Sequence, residues 1–256
     1  MSLRWWSSCR TDTGKRRQVN EDAFLERPDL GLWLVADGMG GHDSGDVASR
    51  MVVSALNGLQ PPLSMDEFGY AVKQRLYEAD RRVQEEAARG GANRTMGSTV
   101  VVFLAFQNRG LCLWAGDSRA YLLRGGGLSQ ISRDHSVVED MIERGELRRE
   151  DADSHPAANL ITRAIGAQEN LVIDERPQDL RDGDTVLLCS DGLNKEVTDE
   201  EIADVLSRHD CEAASRALIE LTLERGARDN VTVAVVRFQA ASPGASREPG
   251  SDTIWR

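Results

Sequence analysis

Asp37 closes the apolar run Leu32-Trp33-Leu34-Val35-Ala36 and is followed at once by glycines, Gly38, Gly40, Gly41 and Gly45. The placement recurs along the chain. Asp117 follows LCLWAG, Asp191 follows VLLCS, and Asp229 stands just before VTVAVV. Asn20-Glu21-Asp22 adds carboxylates at the start of another apolar run. One Asp before Gly at a strand end is ordinarily a turn residue. Repetition suggests a second reading. In an antiparallel sheet the end of one strand and the start of its neighbour share an edge, so four acids distant in sequence can meet on one rim. Carboxylates gathered in this way repel one another and resist ionisation. A divalent cation resolves the conflict, and oxygen-only donors suit Mg²⁺ or Mn²⁺. Several carboxylates suggest two ions, spaced roughly 3.5–4 Å apart, an arrangement suited to phosphate-ester hydrolysis because it acidifies a bridging water and neutralises the leaving oxygen. The glycines would let backbone approach an ion and offer the Gly38 carbonyl as a ligand.

Other chemistries find little support. The four cysteines, Cys9, Cys112, Cys189 and Cys211, are scattered with no CxxC pair, which points to free thiols in a reducing compartment rather than a disulfide scaffold. None has an arginine six positions later, as a cysteine-dependent phosphatase requires, and no GxxxxGK[ST] loop is present. A formal charge of −11 argues against nucleic acid as partner, although local charge can still favour a small anionic substrate. The first residues, MSLRWWSSCRTDTGKRRQ, contain no apolar h-region, and no apolar run approaches a membrane span. A cytoplasmic protein is expected.

The acids need a scaffold. AFLERPDLGLWLVADG reads as two strands joined by a turn. From Ser44 the apolar period changes to three and four through Leu59, giving a helix closed by Pro61-Pro62. Ser64 with Glu67 opens a second helix with Phe68, Val72, Leu76, Ala79 and Val83 inward. Runs at 98–106, 110–117 and 120–126 read as an antiparallel meander. Ser136 with Glu139 opens a short helix, and the polar stretch 145–166 reads as a flap. A strand at 185–189, helices capped by Thr198 and Asp210, and a last strand at 230–238 complete the pattern. The tail at 239–256 has little to bury and is expected to be disordered. Strands and helices in separate groups indicate an α+β fold.

Seven motifs in order, RQVNEDAF (17–24), VADGMGGHDSGDVAS (35–49), GDSRAYL (116–122), DHSVVEDM (134–141), HPAANLITRAIG (155–166), LLCSDGL (187–193) and ARDNVTV (227–233), resemble those of the metal-dependent protein phosphatases of the protein phosphatase 2C type, in their bacterial branch. The resemblance implies a catalytic domain over 8–238, built as a β-sandwich of two antiparallel sheets flanked by helices (αββα) with a flap near the active site. It implies hydrolysis of phosphoserine and phosphothreonine on proteins by attack of a metal-bridging water, with Mn²⁺ or Mg²⁺ as two ions and a possible third. By the same resemblance Asp37 bridges the ions and Gly38 gives its carbonyl. Asp191 and Asp229 complete the second ion, Glu21 and Asp22 hold metal-bound waters, and Asp117 with Asp191 makes a third site. Arg17 grips the phosphate; register with Asn20-Glu21-Asp22 favours it over Arg16. Where many eukaryotic relatives carry a histidine, two positions after the bridging Asp, this chain has Met39. His42 is then the candidate general acid or a supporting hydrogen-bonding group, while structural roles are expected for His135 and His155. The implied partners are phosphorylated proteins and a Ser/Thr kinase whose action the chain reverses, and a monomer is expected. Two alternatives stay open: a phosphatase dedicated to one phosphorylated regulator, and an inactive binding module of the same fold.

Overall fold

The structure is a computed structural model that describes residues 3–40, 44–89, 95–152 and 154–241. It is a four-layer sandwich. One sheet is built from β1 (Leu3–Asp12), β7 (Arg119–Arg124), β8 (Gly127–Gln130), β10 (Thr185–Cys189) and β11 (Val231–Ala240), in the order β1-β11-β10-β7-β8. The other orders β2 (Asp22–Arg27), β3 (Leu32–Gly40), β5 (Val100–Phe106), β6 (Arg109–Ala115) and β9 (Asp174–Asp179), with β4 (Met96–Ser98) paired to the end of β3. All pairings are antiparallel. Helices α1 (Gly45–Asn57) and α2 (Met65–Arg89) cover the second sheet. The first carries α4 (Asp191–Asn194), α5 (Asp199–Arg208) and α6 (Cys211–Glu224), and α3 (Val137–Glu143) leads toward the flap.

The continuous apolar runs follow from burial on both faces. In β3, Leu32, Leu34 and Ala36 pack against Val52, Leu56, Phe68 and Leu76 of the helices. Trp33 and Val35, between them, pack against Val186, Leu188, Val236 and Phe238 of the opposite sheet. The third apolar layer joins Leu187, Val233 and Val235 to Ile202, Leu206, Ala214 and Leu218 of α5 and α6. The caps form as their residue types require. The Ser136, Thr198 and Asp210 side chains accept the N–H groups of Glu139, Glu201 and Ala213, and Ser64 Oγ accepts from Glu67 at 3.1 Å.

Several expectations are corrected. The run 120–126 does not extend a meander: β5 and β6 pair in one sheet, whereas β7 pairs with β10 in the other. Helix α1 ends at Asn57 with Gly58 as its cap, ahead of Pro61-Pro62. The edge strands β1, β8 and β9 escaped the apolar reading, and β9 is DERPQD, largely exposed. β1 begins at Leu3 and β11 ends at Ala240, and residues 242–256 of the expected tail lie outside the described residues. The stretch 145–166 carries one 3-10 turn, Arg149–Asp151. Its far end is stitched to the body: Ser98 and Ile165 exchange backbone hydrogen bonds at 3.0 and 2.8 Å, and Ile165 is fully buried. Among the described residues no helix is long and apolar enough to cross a membrane.

Candidate active site

The acids gather where the two sheets open at one end. Asp22 and Asp37 are direct partners across β2 and β3, an arrangement in which like charges oppose each other. The Asp22 carboxylate reaches the other sheet, where Oδ2 accepts from Ser190 Oγ at 2.7 Å and from Thr232 Oγ1 at 2.7 Å. Ser190 leads directly into Asp191 at the start of α4, and Asp229 precedes β11. The rim is therefore shared between two sheets rather than being one sheet's edge.

Backbone crowding explains the glycines. A Cβ on Gly38 would stand 2.0 Å from Gly45 O and 2.6 Å from Glu21 O, so strand, loop and the start of α1 meet there without a side chain. A Cβ on Gly45 would stand 2.4 Å from Glu21 Oε1, which places that carboxylate against the first residue of α1, where helix-terminal N–H groups favour an anion. Gly116 has φ +122° and packs its Cα face on Thr99. Thr99 Oγ1 lies 2.7 Å from Ser118 Oγ and accepts the Asp37 N–H at 3.1 Å. That small hydroxyl bridge joins the Asp117 turn to the backbone of Asp37.

Arg17 and Lys195 supply the counter-charge. The Arg17 guanidinium closes on Asp229 with Nε–Oδ1 at 2.9 Å and Nη2–Oδ2 at 2.9 Å, and Lys195 pairs with Asp191. Burial first, and then the surrounding carboxylates, pushes Asp37 well above the usual carboxylate range. Asp22 is pushed up to about 7 by burial against the opposing pull of its two hydroxyl donors, and Asp117 is pushed up to about 7 by burial and by Asp191. A folded state that keeps these protons up to about 7, while the unfolded chain releases them near 3.8, binds more protons in that window, so stability falls as pH rises through it. In EDTA, Asp117→Asn is therefore expected to gain melting temperature over the parent as pH climbs from about 5 to about 7.5. A constant difference between the two proteins across a pH-scanned thermal melt would contradict this.

Of the residues expected at the site, Arg17, Glu21, Asp22, Asp37, Gly38, Asp117, Asp191 and Asp229 all lie along this rim; His42 lies outside the described residues. His135 is buried and stacked on Trp114 at 6.1 Å. Its Nδ1 accepts the Gly116 N–H at 3.1 Å, so its proton sits on Nε2, 3.1 Å from Asp174 Oδ2. Residue-type reasoning missed the supports. Asn230 is the chief one: its Oδ1 accepts the Glu21 N–H at 2.9 Å, and its Nδ2 donates to Thr13 O at 2.9 Å and Val19 O at 3.0 Å. Ser190, Thr232, Thr99 and Lys195 were missed as well. The only signal for them was position beside an acid.

A family model described as Protein phosphatase 2C matches residues 11–229. The chain belongs to the protein phosphatase 2C family. Serine/threonine phosphatase stp of Listeria welshimeri is 34 % identical over 243 residues, covering 92 % of this chain and 96 % of that one. The solved structure of PppA, described as a key regulatory component of T6SS in Pseudomonas aeruginosa, is 44 % identical and covers 91 % of this chain and 97 % of that one, with a TM-score of 0.85. The catalytic domain of the serine/threonine phosphatase PstP in complex with 2 manganese ions is 34 % identical, covering 93 % and 100 %, with a TM-score of 0.81. These relatives share the sandwich of two antiparallel sheets flanked by helices.

The donor set of this phosphatase-family rim suits hard divalent cations. Among the described residues its anionic donors are carboxylates, whose proton affinity is raised first by burial and then by one another. Asp22 Oδ1 and Asp191 Oδ1 are buried without a hydrogen-bond partner, a costly state for polar atoms that a cation would satisfy. Among the described residues no three His, Cys, Asp or Glu side chains already converge as one ligand cluster. Arg17 is bonded instead to Asp229, Lys195 to Asp191, and the Ser190 and Thr232 hydroxyls to Asp22.

Proposed function

We propose that this chain is a metal-dependent protein phosphatase that removes phosphate from phosphoserine and phosphothreonine on proteins. The observation that carries the reading is the Asp22–Asp37 pair facing Asp191 and Asp229 across the sandwich mouth, with the Arg17 fork at the same rim. Asp37, the Gly38 carbonyl, Asp191 and Asp229 would hold two ions, Mn²⁺ or Mg²⁺, with Asp117 and Asp191 able to hold a third. Glu21 and Asp22 would orient water bound beside them. When bound, such ions supply Lewis acidity and a water acidic enough to act as nucleophile near neutral pH.

The protein's own groups do the rest. Arg17 presents two parallel N–H donors, now closed on Asp229, that match two oxygens of a phosphoryl group, a contact a lysine cannot copy. Asp22, fixed by Ser190 and Thr232, locks the distance between the sheets on which the acid array depends. No side chain is phosphorylated in this scheme: burial raises the thiols of Cys9, Cys112, Cys189 and Cys211 above their ordinary range, which keeps them protonated, and no serine needs to serve as nucleophile. His42 is the candidate to protonate the departing seryl or threonyl oxygen. The chain would act as a monomer in the cytoplasm, opposing a Ser/Thr kinase. The T6SS role stated for PppA makes secretion control a natural first place to look for substrates.

The test is hydrolysis of a phosphothreonine peptide with Mn²⁺ and with EDTA. Turnover is expected only with the metal, and metal-independent turnover would sink the reading. Arg17→Ala should raise KM by roughly tenfold to a hundredfold with a smaller change in kcat, the loss of charge-assisted hydrogen bonds to phosphate. Arg17→Lys should recover only part of that. A KM unchanged in Arg17→Ala would remove Arg17 from the substrate contact.

A further inference from the structure

The loop that carries Arg17 also carries two cations that the protein leaves unused. Lys15 and Arg16 are exposed, and among the described residues neither side chain has a hydrogen-bond or ion-pair partner. The cations about them differ: Arg17 is clamped on Asp229, and Arg228, next to the Ala227 whose carbonyl takes the Lys15 N–H, pairs with Glu196. Lys15 and Arg16 directly precede Arg17, whose side chain reaches the acid-lined site, so in a chain of net charge −11 their free charge lies beside the place where a phosphorylated peptide would bind.

The loop is also held in place. Gly14 has φ +75°, and a Cβ there would stand 2.2 Å from Asp229 O, so the chain runs directly over the Asp229 turn. The Gly14 N–H donates to Asp12 Oδ1 at 2.8 Å and the Lys15 N–H donates to Ala227 O at 2.9 Å. Asn230 ties both ends of the loop through Thr13 O and Val19 O. The two cations are thus displayed from a fixed backbone, and holding them there costs little further backbone entropy on binding.

We propose that Lys15 and Arg16 form a subsite for acidic side chains that flank the phosphorylated residue, so that the enzyme favours phosphoproteins whose sites lie in acidic sequence. The inference rests on the phosphatase reading, since it places the phosphoryl group at Arg17. An extended peptide advances about 3.3–3.6 Å per residue, so side chains one to three positions from the phosphoresidue fall within roughly 10 Å of Arg17. That is the reach of Lys15 and Arg16, and about one screening length at moderate salt. An acidic peptide otherwise meets a repulsive net charge, and this pair would supply local attraction for it.

The experiment uses the full chain with Mn²⁺. Three phosphothreonine peptides, flanked by Glu, Gln or Lys, are compared with p-nitrophenyl phosphate, which has no flank. The parent should favour the Glu peptide over the Gln peptide by roughly threefold to tenfold in kcat/KM, expressed in KM, with the preference fading at about 0.5 M NaCl. The double variant Lys15→Ser, Arg16→Ser should lose the preference while its turnover of p-nitrophenyl phosphate stays within about twofold. Binding of fluorescent phosphonate analogues of the same peptides, read by anisotropy, should show the same ranking without any turnover. Equal or reversed preference in the parent, or a preference that survives in the double variant, overturns the subsite. Failure of the parent to hydrolyse any of the substrates would instead overturn the phosphatase reading, and the anisotropy series would still decide the subsite.

Discussion

Replacing Asp37 with Asn is expected to lower kcat/KM by roughly a thousandfold or more, yet to leave the chelated protein at least as stable as the parent. The two effects have one cause. The Asp37 carboxylate lies within the field of Asp22, Asp191, Asp117 and Asp229, and its ionised form is opposed first by burial and then by those charges. An amide of the same shape removes the charge, so repulsion at the rim falls. The backbone contacts are untouched: Thr99 Oγ1 still accepts the Asp37 N–H, and Asp37 O still accepts from Thr99 N at 2.8 Å and from Ser98 Oγ at 3.1 Å. The removed charge is also one that the proposed function assigns to holding the cations. Mn²⁺ should therefore raise the melting temperature of the parent markedly and that of the variant much less. Thermal melts with EDTA and with Mn²⁺, run beside the activity assay, separate the outcomes. A variant that is inactive because it is unfolded would melt early in EDTA. A variant that keeps both its manganese shift and its turnover would take Asp37 out of the centre.

What the sequence disclosed about this site depended on where signals were strong. The four acids were visible because each borders an apolar run, buried on both faces as Leu34, Val35 and Ala36 are before Asp37. Capped helices were visible because Thr198 and Glu201 satisfy each other's backbone at a fixed spacing. The edge strands were not, because a strand with solvent on one side need not be apolar. β9 pairs through six residues to β6, yet it carries Asp, Glu, Arg and Pro. The crossing of β7 into the first sheet was hidden as well, since a Gly116-Asp117-Ser118 turn has the same composition whether the chain returns to its own sheet or leaves it. At the crossing Gly116 packs on Thr99, a contact that no local pattern announces. The bonds of Asn230, Ser190 and Thr232 to Thr13, Val19, Glu21 and Asp22 span 168 to 217 positions, and no local pattern announces them.

Gly38→Ala should be strongly destabilising, costing about 3–5 kcal/mol and lowering the melting temperature by roughly 10 °C. The reason lies in the backbone rather than in any side chain. The added carbon would lie 2.0 Å from Gly45 O, 2.4 Å from Gly45 C and 2.6 Å from Glu21 O, and none of these atoms belongs to a flexible group that can swing aside. Gly38 N also donates to Glu21 O at 3.0 Å, so relief of the clash breaks the bond that holds the Glu21 loop against β3. Activity should fall with stability, because Asp37 and Asp22 sit on either side of that bond in paired strands. Gly58→Ala is the matched control. Gly58 caps α1 with φ −90° and ψ 9°, and a Cβ there meets nothing within 4 Å. The same substitution there should be neutral or stabilise by up to about 1 kcal/mol, by restricting the unfolded chain. Differential scanning calorimetry of the two variants, with Mn²⁺ turnover measured on the soluble fraction, tests the pair. Equal melting temperatures would mean that the glycine after Asp37 is a turn residue of the ordinary kind, and that close backbone approach is not what the site requires there.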